Sequence, residues 1–152
     1  MSPRPRNHER HPDLQTAIKK TAWKQIAELG ATALNLRGIA RHLGIAAPSI
    51  YNYFPNRDDL ITALIIDAFA SLADSQAASI LSIPEQEHGQ RLLALGINYR
   101  EWAIAKPERY QLIFGTPLAG YVAPLEITQP VAGRSQAVLM NVLMSGHLAG
   151  KL

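Results

Sequence analysis

Hydrophobic positions repeat at helical spacing through most of the chain. From residue 14 to residue 29, apolar side chains recur every three or four positions and so share one helix face: Leu14, Ile18, Ala22, Ile26 and Leu29. Asp13 is a candidate N-cap for this helix, and Gly30 is a candidate left-handed stop. The pattern therefore predicts a first helix with a polar outer face that carries several lysines.

Two short helices are predicted next. Asn35 is a suitable N-cap for the second helix, whose apolar positions follow at i, i+3, i+4 and i+7, namely Leu36, Ile39, Ala40 and Leu43. Gly44 ends that helix, and Pro48 favours the start of a third helix that extends to Phe54. Because so short a turn separates the two helices, we expect them to cross steeply around one small core, which is helix-turn-helix geometry.

The rest of the chain predicts longer helices. Pro55 breaks the chain, and Asn56 and Asp59 have the spacing of a capping box before a long helix over about 57–81. Further helices are predicted from Pro84 to about Lys106, from Pro107 to Gly115 and over about 131–148. Residues 116–130 contain three prolines and predict a loop. No alternation typical of β-strands extends beyond a few residues, so the predicted fold is all-α.

Composition narrows the class of protein. With 47% hydrophobic and 18% charged residues, the 152-residue chain can form a packed core. It contains no cysteine, which excludes a disulfide framework, a thiol nucleophile and cysteine-ligated zinc. No unbroken apolar run approaches the roughly 18–20 residues of a membrane span, and the polar N-terminus lacks the apolar stretch of a signal peptide. We therefore expect a cytoplasmic protein without a membrane partner.

The charge is distributed unevenly. Residues 1–60 hold nine Lys and Arg against five Asp and Glu, whereas residues 61–152 hold six against seven. A basic first part indicates contact with a polyanion, although a chance imbalance on a solvated surface gives the same count. Residues 1–11, with three arginines, predict a mobile basic arm that either contacts the polyanion or is a plain disordered tail.

Residues 14–66, and most clearly the segment from Asn35 to Leu60, resemble the DNA-binding domain of the TetR family of bacterial regulators. The matching features are Gly30, Ile39–Ala40, Gly44–Ile45, Ile50–Tyr51, Tyr53–Phe54 and the start of the next helix at Arg57. Three positions depart from the family pattern: Asn35 stands for Thr or Ser, Ala46 for Ser and Arg57 for Lys. The Ala46 change removes a side-chain cap, and with it a candidate phosphate contact, from the start of the third helix.

The resemblance implies how this domain contacts DNA. It implies base-edge roles for Arg37, Ala47, Pro48, Ser49 and Asn52, and phosphate roles for Asn35, Tyr51, Tyr53 and Arg57. The residue types agree, since small side chains permit close approach in the major groove and an asparagine can bond an adenine edge. Two alternatives stay open. Tyr51 can pack in the core while its hydroxyl reaches phosphate, and Arg41 suits a solvated surface.

A second segment, from Tyr99 to Gly115, is similar to the ligand-binding domain of one TetR branch. The aromatic residues converge near Pro107, which forces a new helix to begin. The candidate ligand-binding residues are Tyr99, Trp102, Tyr110, Phe114, Met140 and Met144. A plain aromatic core is the competing interpretation, and it is favoured for Trp102 and Phe114. No charged cluster marks this region, which predicts a small neutral or apolar effector.

These observations predict a ligand-responsive transcriptional regulator with two domains, a helix-turn-helix domain over 12–66 and a helical regulatory domain over 67–152. The resemblance implies a homodimer on a near-palindromic operator, with repression as the family's usual outcome. Family members usually carry two further helices after this point, so a C-terminally truncated chain is expected. Two alternatives remain. One is a non-specific DNA-binding or helical interaction module. The other is a small helical enzyme, for which no catalytic triad, metal site or cofactor motif is found.

Overall fold

The computed structural model describes residues 12–152, and every regular element there is helical. The α-helices are α1 (Pro12–Leu29), α2 (Leu36–Leu43), α3 (Ala47–Tyr51), α4 (Arg57–Ile80), α5 (His88–Ala105), α6 (Pro107–Phe114) and α7 (Leu125–Leu148). A short 3-10 turn, Ala31–Ala33, precedes α2. The all-α prediction is confirmed. The predicted basic arm at residues 1–11 lies outside the described residues.

The chain forms two compact units. One runs up to Ile61 and includes Pro117–Tyr121, and the other combines Thr62–Thr116 with Val122–Leu152. Helix α4 supplies residues to both units. The boundary after residue 66 that the sequence suggests for the two domains stays a prediction.

The core of the first unit follows the predicted apolar stripes. Ile18 and Ala22 of α1, Ile39 of α2 and Ile50 of α3 are each at most 1% exposed. Burying each of the three isoleucine side chains stabilises the unit by about 1.5–3 kcal/mol. Leu29 was expected on the same stripe, but its position as the last residue of α1 leaves it 65% exposed.

Most predicted helix ends of this unit are confirmed. Gly44 ends α2 with a left-handed φ of 66° and ψ of 30°. Asn56 and Asp59 form a reciprocal pair, since the Asp59 N–H donates to Asn56 Oδ1 and Asn56 Nδ2 donates to Asp59 Oδ2, both at 2.9 Å. Gly30 has the expected positive φ of 83°, but its ψ of 159° is extended, so the chain turns directly into the 3-10 segment. The prediction that Asp13 is the N-cap of α1 was wrong, because Asp13 lies inside the first turn of the helix.

The second unit has its own core. Ile80 of α4, Leu95 of α5 and Val142 of α7 are buried together, and partly buried Leu92, Ala94 and Val138 pack against them. A buried polar pair joins α4 to α7, where Ser135 Oγ donates to Gln76 Oε1 at 2.6 Å. Because a buried polar group without a partner is costly, this bond fixes how the two helices meet.

Three predicted helix bounds were wrong. Helix α3 ends at Tyr51 rather than Phe54. Helix α5 begins at His88 rather than Pro84, because the residues between form a turn closed by the bond from the Glu87 N–H to the Pro84 carbonyl at 3.0 Å. Helix α7 begins at Leu125, not near 131, and contains Pro130. A proline in the second turn of a helix removes one backbone donor, and here the helix continues without that hydrogen bond.

Among the described residues, α4 is the one helix long and apolar enough, by length and composition, to cross a membrane. Its apolar positions Leu64, Ala68 and Leu72 are fully buried within the fold. This burial is typical of the core helix of a globular domain, so length and composition alone are weak evidence for a membrane span.

Candidate functional site

The position at which α2 begins is fixed by a buried leucine and by a side-chain cap. Leu34 is buried at 3% exposure, which anchors the chain after the 3-10 turn. Asn35 then adopts an extended conformation, and its Oδ1 accepts hydrogen bonds from the N–H groups of Arg37 at 2.9 Å and Gly38 at 3.2 Å. The prediction that Asn35 caps α2 is confirmed. Such a cap satisfies backbone donors that a helix start otherwise leaves unpaired.

Gln25 of α1 also contacts this helix start, a role that the sequence pattern did not reveal. Its Oε1 accepts a hydrogen bond from the Asn35 N–H at 2.8 Å. A Cβ added at Gly38 would lie 3.1 Å from Gln25 Nε2, so the glycine leaves room for the glutamine side chain. The one signal in the sequence is a polar residue beside the apolar stripe of α1, and that signal names no partner.

Arg57, the first residue of α4, donates to the loop before α2. Its Nε donates to the Leu34 carbonyl at 3.1 Å, and its Nη2 donates to the carbonyls of Ala31 at 3.0 Å and Thr32 at 3.3 Å. A guanidinium presents several donors in one plane and can therefore serve several carbonyls at once. Arg57 thus ties the start of α4 to the loop in addition to carrying the positive charge that is predicted to contact phosphate.

Helix α3 follows the turn at Gly44 and packs against the core through its inner face. Ile50 is 1% exposed and anchors the helix, whereas Ile45 in the turn is only partly buried. Ala46 precedes α3 without a side-chain cap, as the sequence predicts. The outer residues of α3 and its end, Pro48, Tyr51 and Asn52, are exposed.

The sequence-predicted DNA residues divide into two groups. Asn35, Arg37, Tyr51 and Arg57 line one open cleft of about 630 Å³, together with residues of the preceding loop and of the turn before α4. The remaining predicted residues, Ala47, Pro48, Ser49, Asn52 and Tyr53, lie on α3 and just after it, outside the lining of this cleft. Three of the four residues given phosphate roles therefore share a cleft with one residue given a base-edge role.

The second unit contains an aromatic cluster. The rings of Tyr99, Tyr110 and Phe114 contact one another with centroids 5.4–6.1 Å apart, and Phe69 meets Phe114 edge-on at 5.8 Å. Burial, followed by the hydrogen bond and charge interaction with Tyr110, raises the pKa of Tyr99 above the ordinary 10.0. The cluster offers a ligand apolar ring surface with two phenol groups.

The other ligand candidates lie apart from these ring contacts. Trp102 is 4% exposed, and its Nε1 donates to Ser71 Oγ at 3.1 Å, which also accepts from Lys106 Nζ at 2.9 Å. This arrangement favours a core role for the indole. Met140 and Met144 lie on α7 and are 51% and 57% exposed.

A separate cleft of about 400 Å³ lies where the ends of α4 and α7 meet the start of α5. Its apolar lining includes Ile80, Val138 and Val142, and its polar lining includes Arg91 and Asn141. Arg91 Nε donates to the Ile83 carbonyl at 3.2 Å. The sequence-predicted ligand residues are not among those that line this cleft. Among residues 12–152, no group of three His, Asp or Glu side chains is arranged to hold a metal ion.

Two family models match the chain. The model described as bacterial regulatory proteins, tetR family, matches residues 18–64. The model described as tetracyclin repressor-like, C-terminal domain, matches residues 92–151. The first match includes α2, the turn and α3, and the second includes nearly all of α5 with α6 and α7.

The chain is also similar to individual known proteins. The HTH-type transcriptional regulators Mb1846 of Mycobacterium bovis and Rv1816 of Mycobacterium tuberculosis are each 31% identical over 139 residues, which is 91% of this chain. The chain spans 59% of the length of these curated relatives. The solved structure of SCO4313, described as a regulatory protein, is 42% identical with a TM-score of 0.80 and covers 95% of this chain and 66% of its own. A tetR family regulator from Shewanella sp. PV-4 is 22% identical with a TM-score of 0.72, covers 90% of this chain and 71% of its own, and supports the fold alone.

Proposed function

Because the chain belongs to the tetR family of bacterial regulatory proteins, we propose that it is the DNA-binding and regulatory part of a sequence-specific transcriptional regulator. The proposal depends mainly on α3, which is anchored in the core on one side and exposed on the other. Ile50 anchors the helix in the core, while Pro48, Tyr51 and Asn52 are exposed to solvent. A helix held in this way can enter the major groove of a duplex without unfolding its own core.

The residues divide between reading bases and holding the backbone. We assign base-edge contacts to Arg37, Ala47, Pro48, Ser49 and Asn52, with Asn52 as the candidate for a two-point bond to adenine. We assign phosphate contacts to Asn35, Tyr51, Tyr53 and Arg57. The exposure of Asn35 and Arg37 at the start of α2 makes both side chains available to DNA, and the cleft shared by Asn35, Tyr51 and Arg57 brings three of the phosphate candidates together.

The second unit is proposed to bind a small neutral or apolar effector. Support comes from the aromatic cluster of Tyr99, Tyr110 and Phe114, with their rings in contact and two phenol groups among them. Trp102, Met140 and Met144 stay weaker candidates because Trp102 is buried in the core and both methionines are largely exposed. Effector binding would displace α4 and lower operator affinity. By analogy with the family, the protein would act as a repressor in the absence of the effector.

A homodimer in the cytoplasm completes the proposal. A two-fold dimer would bind half-sites about 34–36 Å apart on a near-palindromic operator. Exposed apolar side chains on α7, among them Leu139 and Leu143, are consistent with a further protein surface packing there. The family match and the regulator names of the relatives support a regulator rather than an enzyme.

Selection of duplexes from a random DNA pool tests the DNA assignment most completely. We expect enrichment of one motif, and we expect Asn52→Ala to relax preference at one base position by about 1–3 kcal/mol. Asn141→Ala, which alters an exposed asparagine of α7, is the matched control and should leave the motif unchanged. A non-specific DNA-binding module, the competing function, would enrich no motif with either protein.

The effector assignment is tested by thermal unfolding with a panel of neutral apolar compounds. A compound that binds the folded protein raises its melting temperature. Tyr110→Ala should abolish that increase, whereas Leu81→Ala, an exposed residue outside the aromatic cluster, should retain it. An increase that survives Tyr110→Ala would place the effector elsewhere, with the cleft near Arg91 as the next candidate.

A further inference from the structure

The peptide unit that joins Leu34 to Asn35 is held on both sides by side chains of other helices. Its carbonyl oxygen accepts a hydrogen bond from Arg57 Nε at 3.1 Å, and its N–H donates to Gln25 Oε1 at 2.8 Å. In a trans peptide these two groups point in opposite directions, so bonds to both fix the rotation of the peptide plane. Gln25 belongs to α1 and Arg57 is the first residue of α4.

The orientation of this peptide determines how α2 begins. The Asn35 side chain, attached directly after the peptide, accepts from the N–H groups of Arg37 and Gly38 and so sets the first turn of the helix. Gly38 also provides the space that Gln25 needs, since a Cβ there would lie 3.1 Å from Gln25 Nε2. A real Cβ seldom comes so close to a neighbour, which makes this a tight fit.

We propose that Gln25 and Arg57 are positioning residues for DNA binding. By clamping the Leu34–Asn35 peptide from two helices, they orient the first turn of α2 and thereby the DNA contacts of Asn35 and Arg37. The inference rests on the proposed function for its consequence on DNA, whereas the clamp itself is a property of the free protein. It also makes the start of α2 sensitive to the position of the first residue of α4.

The clamp gives Arg57 a role that a lysine fills less well. The guanidinium reaches three carbonyls, those of Ala31, Thr32 and Leu34, at 3.0–3.3 Å. A lysine keeps the positive charge for a phosphate but lacks the planar array of donors. Arg57→Lys therefore separates positioning from charge.

Amide hydrogen exchange in the free protein tests the clamp directly. Gln25→Met keeps the shape of the side chain but removes the acceptor, and Arg57→Lys removes the fork. In both variants we expect the amides of Asn35, Arg37 and Gly38 to exchange about 3- to 10-fold faster than in the wild type, as the loss of one hydrogen bond predicts. Amides from Ile39 onward in α2 should keep their wild-type rates, which a general loss of stability would not allow.

Matched variants complete this experiment. Thr21→Val should leave all three amides unchanged, although Thr21 lies one turn before Gln25 on α1 and lines a small cleft together with Gln25 and Gly38. Gln25→Glu keeps the acceptor oxygen and should restore slow exchange. If Gln25→Met does not fold, Gly38→Ala crowds the same contact without altering Gln25 and should accelerate the same amides. If the Asn35 amide exchanges at the wild-type rate in whichever of these two variants folds, the proposal is overturned.

Binding to the duplex enriched by the wild type tests the consequence for DNA. Gln25→Met and Arg57→Lys should each lower affinity about 3- to 10-fold, with the same salt dependence as the wild type because neither change removes a positive charge. Wild-type affinity of Arg57→Lys would show that its charge alone matters and would overturn the positioning role. If the wild type enriches no duplex, the proposed function fails, while the exchange rates still decide whether the clamp exists.

Discussion

Asn35 caps α2 and is also proposed to contact a DNA phosphate, so one residue carries both a structural and a proposed binding role. Its side chain accepts two backbone hydrogen bonds inside the protein, and the residue is exposed on the cleft that also contains Arg37 and Arg57. A shorter or apolar side chain would disturb the helix and the proposed phosphate contact together. Substitutions that keep the cap but change the charge can separate the two effects.

Replacing Asn35 by alanine leaves the N–H groups of Arg37 and Gly38 without their acceptor. We expect the free energy of unfolding to fall by about 1 kcal/mol, measured by urea denaturation. Asn35→Asp keeps an acceptor and should keep most of that stability, but its negative charge faces the proposed phosphate contact and should weaken DNA binding. Equal stability losses in the two variants would contradict the capping role.

Tyr99 predicts a response to alkaline pH. Its pKa is raised by burial and by Tyr110, so the folded state favours the protonated phenol more than the unfolded state does. The stabilisation is fully present below the unfolded pKa of 10.0 and is lost as pH rises through the higher folded pKa. We expect the melting temperature of Tyr99→Phe to fall less steeply than that of the wild type as pH rises above 10. Identical alkaline profiles for both proteins would count against this shift.

The residues that sequence reasoning found are those governed by local rules. Asn35 and Gly44 were predictable because a cap and a left-handed stop act on neighbouring residues. Gln25 was not predictable, since its partner Asn35 lies ten positions away and on another element. The partners of Arg57 are 23 to 26 positions away, so only its charge could be recognised in the sequence.

At the scale of elements, amphipathic periodicity with local stop signals predicted α1, α2, α4 and α6 closely. The starts of α5 and α7 are predicted less well because a proline indicates a helix boundary in both places. Pro84 begins a turn that precedes the helix, whereas Pro130 lies inside one. Packing against neighbouring helices decides whether a proline ends a helix, and the sequence pattern does not contain that information.

The turn between α2 and α3 requires the left-handed conformation of Gly44. A Cβ there meets nothing within 4 Å, so alanine would be strained by its φ of 66° and not by crowding. We expect Gly44→Ala to lower stability by roughly 1–2 kcal/mol. Gly96→Ala is the control, since Gly96 lies within α5 with open space around its Cβ position, and it should raise stability by about 0.5–1 kcal/mol. Circular dichroism melting distinguishes these outcomes, and an unchanged melting temperature for Gly44→Ala would argue against the turn.

At the scale of the whole molecule, the proposed homodimer needs a surface in addition to the DNA-binding and effector sites. We expect sedimentation velocity to show a dimer whose fraction rises with protein concentration. Leu143→Glu, on the exposed apolar side of α7, should shift the protein toward monomer. Leu81→Glu, which is 84% exposed just beyond α4, should not. A single monomeric species at tens of micromolar would contradict dimerisation by this chain.

The proposed function depends above all on whether the outer side of α3 reads a DNA duplex. Its most direct test is the change in backbone amide chemical shifts when the duplex enriched from a random pool is added to the wild-type protein. This role of α3 predicts that the largest changes fall on residues 47 and 49–52 and at the start of α2, and that Asn52→Ala relaxes the preference for one base pair. Changes confined to α5 and α7, or a pool that yields no preferred sequence, would contradict it.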